Sequence, residues 1–374
     1  MTTPAGDNAP SAPAGDDAPE PHPALRTRLC ELVGVRYPIV QTGMGWVAGP
    51  RLVAATANAG ALGILASATM TLDELRAAVA EVRSRTDKPF GVNLRTDAPD
   101  VEQRVALLVE SGVKVASFAQ APRPDLVKSL AAAGVVVIPT VGARRHAEKV
   151  AEWGVHAVIA QGAEGGGHTG SVPTSLLLPS VVDAVGDRVC VIGAGGFSSG
   201  RGLVAALAYG ATGIAMGTRF LLSRESTVPD NVKQVYLGTA VTGTVVTTRV
   251  DGAPQRVIRT GLVDHLEGAG RMAALPRALR NALAFRRQTH TSMRALAKEG
   301  LAMKEGNELT WSQVLMAANA PMMTKAALVD GDPAVGILPT GQVVGIIDAL
   351  PSVAEIIGAI VTEANATLER LTGH

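Results

Sequence analysis

From residue 35 onward the chain repeats one unit: a short apolar run, a turn of small residues, and a longer stretch with apolar positions at three- and four-residue steps. Short apolar runs bounded by turn signals read as strands buried on both faces, and the three/four spacing marks one face of a helix. The runs fall at 38–41, 62–65, 90–93, 114–117, 135–139, 157–160, 189–193 and 213–216, eight in all. Helical stretches between them include 72–85, 101–111, 124–133 and 144–153. Gly112, Gly134 and Gly154 follow the last three, where a helix C-cap belongs. Eight strand–helix units predict an α/β fold, a (β/α)8 TIM barrel spanning 25–225. An open doubly wound sheet is the alternative, and it ordinarily has fewer strands.

Beyond 225 the rhythm stops. Residues 226–345 hold a β-branched, turn-like run at 239–248, a basic stretch at 276–300 and a long helical pattern at 309–318. They predict a smaller, mostly helical unit covering the barrel mouth. The last part, 346–374, carries a helical pattern from 353 to 371, read as a helix returning to the barrel. Residues 1–24 are rich in Pro, Ala, Gly and Asp, with no Lys or Arg before Arg26. That composition predicts a disordered tail and lacks the basic start and apolar core of a secretory signal.

The chain has 374 residues, is 47% hydrophobic and carries a formal charge of +1. That is enough for one large domain and an appended unit. A near-neutral balance gives no reason to expect nucleic acid or a membrane surface as partner. No apolar run is long enough to span a bilayer. Cys30 and Cys190 lie far apart in sequence, and no Cys/His cluster has metal-ligand spacing. The expectation is a cytoplasmic, metal-free protein without a disulfide.

Two glycine-rich turns follow the last two strands: Gly193-Ala194-Gly195-Gly196-Phe197-Ser198-Ser199-Gly200 and Met216-Gly217-Thr218-Arg219-Phe220. Small residues let backbone N–H groups approach an anion, and a following helix adds its positive end. Two such turns on consecutive strand-to-helix junctions predict a phosphate cup, at the place where barrels of this kind hold phosphate. A dinucleotide fingerprint would need an acid about twenty residues on. Gly210-Ala211-Thr212-Gly213-Ile214 offers none, so a mononucleotide phosphate is the better reading.

In such a barrel the working side chains stand on loops after the strands. After the first comes Thr42-Gly43-Met44-Gly45-Trp46, suited to backbone lying flat on a planar ring, or to a tight turn with Met44 filling the core. The third strand ends in Asn93 and the fourth leads to Gln120, both able to donate and accept hydrogen bonds. The sixth leads into Gln161-Gly162-Ala163-Glu164-Gly165-Gly166-Gly167-His168-Thr169-Gly170. His168 stands out among the histidines because it alone falls on a glycine-rich loop at this face, where imidazole can exchange protons near neutral pH. Glu164 is either its orienting carboxylate or an exposed loop acid. Arg277, Arg280, Arg287 and Arg294 share one face if their stretch is helical. They read as a solvated face or as a docking stripe for CoA phosphates.

Together these segments, with Gln41–Ala48, Asn58–Gly63 and Gly91–Asn93, resemble the nitronate monooxygenase (2-nitropropane dioxygenase) family of FMN-dependent TIM barrels. The resemblance implies bound FMN. Gly43, Met44 and Gly45 would then contact the isoalloxazine, and Asn93 would hydrogen-bond it. Gly195, Gly196, Gly217 and Thr218 would hold the phosphate. Gln120, Gln161, Gly166 and Gly167 complete the expected cofactor-binding set, and His168 matches the family's active-site base. The function implied first is oxidation of alkyl nitronates with O2 to a carbonyl compound and nitrite. Flavin-dependent enoyl-(acyl carrier protein) reductases share nearly the same motifs. Residues 309–319 look like a subfamily of actinobacterial flavin oxidoreductases, some of which act on CoA thioesters of partly degraded steroid rings. That makes a CoA-thioester dehydrogenase or enoyl reductase the alternative, and a non-catalytic flavin-binding protein the third reading. The expected partner is a small molecule, a nitronate or an acyl-CoA, with a homo-oligomer as one possible state.

Overall fold

Each apolar run of the repeat forms a strand within two residues of its expected bounds. The structure, a computed structural model, describes residues 18–268 and 321–373. Strands β1 (Ile39–Gln41), β2 (Leu62–Ala66), β3 (Gly91–Leu94), β4 (Val115–Phe118), β5 (Val136–Val141), β6 (Ala157–Gln161), β8 (Cys190–Ala194) and β9 (Gly213–Met216) close into a parallel barrel, β9 pairing with β1. The (β/α)8 expectation is met, and the open-sheet alternative fails at the β9–β1 seam. Between β6 and β8 the chain leaves the barrel as β7 (Gly167–His168). That strand joins β10 (Thr244–Thr247) and β11 (Gln255–Ile258) in a separate antiparallel sheet of order β10-β11-β7.

Alternation along the strands sorts two apolar layers. Val40, Ile64, Val115, Ile138, Ile159 and Ile192 fill the barrel interior as one buried cluster. Ile39, Val92, Phe118 and Val158 face outward into a second cluster with the surrounding helices. The helix Leu72–Arg85 shows why those helices form. Thr71 and Glu74 make a capping box, and Leu75, Ala78, Val79 and Val82 bury one stripe against the sheet.

Residues 18–24, assigned above to a disordered tail, are instead tied to the folded body. The His22 N–H donates to Asn365 Oδ1 at 2.9 Å, and Asn365 Nδ2 returns a bond to the Glu20 carbonyl at 2.8 Å. Leu25 is fully buried. The C-terminal helix Val353–Thr372, opened by a Ser352/Glu355 capping box, lies against the helices Gly200–Ala208 and Pro50–Asn58. Within 226–345 the described residues contain the β10–β11 hairpin beside the helices Asp230–Leu237 and Gly261–Gly268. The arginine stripe at 277–294 and the pattern at 309–319 lie outside the described residues. No helix among the described residues is long and apolar enough to cross a membrane.

Candidate active site

Continuing the inward alternation by one step past the buried cluster reaches Asn93 on β3, Ser117 on β4, Thr140 on β5 and Gln161 on β6. The barrel therefore turns polar at the carboxyl ends of its strands. Asn93 Nδ2 donates to Ser117 Oγ at 3.3 Å. The loop after β1 lies directly on Asn93, because a Cβ placed on Gly43 would stand 2.5 Å from the Asn93 Cβ. Gly43, Met44 and Gly45 are thus held over the mouth. Trp46 ends the turn with φ 66°, the one non-glycine residue at positive φ among those described. Met44 reaches across to the loop after β9, its Sδ 3.3 Å from where a Gly217 Cβ would be.

The two glycine turns leave the neighbouring strands β8 and β9, but their helix ends differ. Gly195 and Gly196 have φ of 94° and 82°, a backbone open to L side chains only with strain. No turn or loop backbone hydrogen bond among the described residues is donated by the Gly196 or Gly217 N–H, whereas the pairing of Ala194 with Ala215 turns the Gly195 N–H toward β9. The helix after the first turn is closed to an anion, which corrects the simple picture of two free helix ends. Its Gly200 N–H goes to Glu363 Oε2 at 2.7 Å, and Ser199 Oγ accepts from the Gly202 N–H at 3.2 Å. What stays open for the expected cup is the 195–196 turn after β8 and the start of the helix Thr218–Leu221 after β9. A strap unrecognised in the sequence bounds it: Thr218 Oγ1 accepts the Gly341 N–H at 3.0 Å, and the Gln342 N–H donates to the Glu164 carbonyl at 3.0 Å.

His168 lies on β7, its Cα opposite Gln255 of β11. Gln161 Nε2 donates to the His168 carbonyl at 2.7 Å, so the barrel end grips the backbone of the histidine loop. The imidazole does not meet Glu164. That carboxylate turns inward to accept from the Thr174 N–H at 3.0 Å and hydroxyl at 2.7 Å, capping the next helix. The partner of His168 is Asp251, in the β10–β11 turn, with Nε2 to Oδ2 at 2.7 Å. Asp251 carried no signal in the sequence reading. Its hydrogen bond and charge hold the imidazole above its usual range against the opposing effect of burial. Burial works to raise Asp251, but the His168 bond and charge, with the Ala253 N–H and Gln255, outweigh it and hold the carboxyl below its ordinary range. Arg256, next along β11, braces the same loop through Nη2 to the Ala163 carbonyl at 3.0 Å. Gly166 and Gly167 carry the chain past the strap, and Gln120 stands on the exposed rim after β4.

A family model described as nitronate monooxygenase matches residues 26–104 and 98–363. Two relatives bear the name (3aS,4S,5R,7aS)-5-hydroxy-7a-methyl-1-oxo-octahydro-1H-indene-4-carboxyl-CoA dehydrogenase. The one from Mycobacterium tuberculosis is 61% identical over 92% of this chain and 98% of its own. The one from Rhodococcus jostii is 58% identical over 93% and 98%. A probable nitronate monooxygenase from Staphylococcus saprophyticus is 30% identical over 64% of this chain and 80% of its own. Among solved structures, FabK from Thermotoga maritima superposes with a TM-score of 0.75 at 34% identity, covering 93% of this chain and 99% of that one.

Proposed function

The chain belongs to the nitronate monooxygenase family, a family of oxidoreductases, and from that premise we propose that it is an FMN-dependent dehydrogenase of a ring-bearing CoA thioester. The observation that carries the substrate class is the extent of likeness. Identity of 61% and 58% runs through almost the whole of two dehydrogenases, whereas the nitronate relative matches 64% of this chain at 30%. The reading favoured by the motifs alone, nitronate oxidation, therefore takes second place.

The residues present fit FMN. Amides at Gly196 and Gly217 that donate to no turn or loop carbonyl among the described residues suit a single phosphate. Gly43 leaves its loop flat on Asn93, whose amide would meet the polar edge of the ring. Bound flavin would supply the acceptor for a hydride from a substrate carbon. This chain's part is to hold the substrate over the mouth and to take the accompanying proton on His168, whose side chain is 66% exposed there. The proton and the hydride together account for the two hydrogens that leave the substrate.

The test uses the full chain, purified and denatured to release its cofactor for chromatography. FMN and no FAD is the expected result. Anaerobic mixing with a hydroxylated bicyclic CoA thioester should bleach the flavin, while an alkyl nitronate under air should give little O2 uptake. Rapid nitronate oxidation without bleaching by the thioester would restore the nitronate reading. Absence of flavin would remove both.

A further inference from the structure

His168 is built by two parts of the chain that the sequence keeps far apart. Its backbone is fixed from the barrel by Gln161, and from the hairpin by pairing with Gln255 and by the Thr169 N–H to the Pro254 carbonyl at 3.1 Å. Among the described residues its ring is fixed by Asp251 alone. That carboxylate is only 13% exposed and is anchored before it meets the histidine, since Oδ1 accepts the Ala253 N–H at 3.1 Å within its own turn.

An ion pair of no function fits this arrangement poorly. Exposed pairs contribute little to stability, and a largely buried carboxylate is costly unless it is paired. Among the described residues His168 is the only cationic group in an ion pair with Asp251. The nearby charges are committed elsewhere: Arg256 to the Ala163 carbonyl and the Thr244 hydroxyl, Glu164 to Thr174. Arg249, in the same turn, makes no ion pair with a described residue.

We propose that Asp251 is the positioning residue of the proton-transfer site, fixing His168 with the proton on Nε2 so that Nδ1 is the nitrogen that takes the substrate proton. The inference rests on the reading of His168 as the proton-exchanging group. With Nε2–H donated to the carboxylate, the neutral ring keeps its lone pair on Nδ1, which no described residue engages. On transfer the substrate's bond to hydrogen breaks, Nδ1–H forms, and the imidazolium stays paired with Asp251. The bonding electrons of the other departing hydrogen leave with it as the hydride that the flavin accepts.

Two measurements on the full-length flavin-loaded protein test this. The first needs no substrate: long-range nitrogen–proton NMR of histidine-labelled protein, with His168→Ala used to assign the signal. The neutral ring should be the Nε2–H form and should titrate above the ordinary value of about 6.5. In Asp251→Asn the midpoint should fall and the two tautomers should mix. An Nδ1–H tautomer in the wild type, or an unmoved midpoint in the variant, overturns the proposal. The second is flavin bleaching by the hydroxylated CoA thioester across pH. Asp251→Asn should lower the limiting rate about 10- to 100-fold, with KM within threefold and the acid limb moved to lower pH. An unchanged rate beside the expected tautomer overturns the positioning role. Full activity in His168→Ala strikes instead at the proton-transfer reading, leaving the tautomer result standing. If the Asn variant does not fold, the wild-type tautomer still decides.

Discussion

Replacing Gly166 with alanine should loosen the strap over the phosphate cup. A Cβ at that position would overlap the Thr340 carbonyl carbon and stand 2.5 Å from the Gly341 nitrogen. Both are backbone atoms, so no side-chain rotation relieves the clash, and the strap or the histidine loop must shift by about 1 Å to reach ordinary contact. Overpacking of this kind costs about 1–3 kcal/mol. The same shift stretches two bonds now at 3.0 Å, Gly341 N–H to Thr218 Oγ1 and Gln342 N–H to the Glu164 carbonyl. Each contributes about 0.5–1.5 kcal/mol net. The sum is roughly 2–6 kcal/mol. At about 2.1 cal/mol/K per residue over roughly 300 folded residues, that lowers Tm by about 3–10 °C. Because Thr218 belongs to the proposed cup, the Kd for FMN should rise at least tenfold, about 1.4 kcal/mol. Differential scanning fluorimetry reads the first effect and flavin fluorescence titration the second. A variant with unchanged Tm and a Kd within twofold of wild type would show that the strap yields freely and has no hold on the cup.

His168→Ala should keep its flavin yet bleach with a CoA thioester about 10²–10⁴-fold more slowly, as general acid–base groups typically contribute that much. Stopped-flow absorbance measures it, and an unaltered rate returns His168 to a structural role. The ion pair should also leave a mark on stability against pH. His168 titrates above its usual range, so its contribution is whole below its unfolded pKa and fades as pH rises through the folded value. Asp251 lies below its usual range, so its share is whole above its unfolded pKa and fades as pH falls through the folded one. The Tm gap between wild type and Asp251→Asn should therefore be widest between roughly pH 4 and 6.5 and narrow as pH rises beyond that range; a constant gap contradicts the pairing. Gly358→Ala, inside the C-terminal helix and with nothing within 4 Å of the added Cβ, should stabilise by about 0.4–1 kcal/mol. A lowered Tm there would mean that the helix face is more closely covered than the structure shows.

The barrel was legible because each strand is apolar on both faces and each helix carries one apolar stripe, two periods that local sequence states directly. The helix Leu72–Arg85 was read to its bounds because its apolar stripe, Leu75, Ala78, Val79 and Val82, runs at three- and four-residue steps. The acid beside His168 was missed for the opposite reason. Glu164 is four residues away and Asp251 is 83, so local sequence could offer only Glu164, and that with an exposed loop acid as the other reading. Only the pairing of β7 with β11 brings Asp251 near, and a two-residue strand in a glycine run has no alternation from which that pairing could be inferred. The strap was hidden likewise: Gly341 is one of 41 glycines, and its contact with Thr218 spans 123 residues.

The same division explains why motifs and overall identity rank the substrates differently. Gly43, Asn93, Gly195, Gly196 and Gly217 lie on the barrel strands and the loops that leave them, and those are the positions proposed for the cofactor. Any oxidoreductase that keeps the cofactor must keep them, so a resemblance built on them is silent about what lies above the ring. The acid that aims His168 comes from 226–345, the part where a substrate-specific enzyme is free to differ. The dehydrogenase from Mycobacterium tuberculosis is 61% identical along almost its whole length, that part included, whereas the nitronate relative is 30% identical over 64% of this chain. Identity along the whole length, 61% against 30%, is what favours a CoA thioester over a nitronate in the proposal made above. The decisive contrast is accordingly at Asp251. If nitronate were the substrate, an anion already lacking its α-proton, Asp251→Asn should leave turnover nearly unchanged, since no proton needs a base. If a thioester dehydrogenation is the reaction, the same substitution should slow it about 10- to 100-fold.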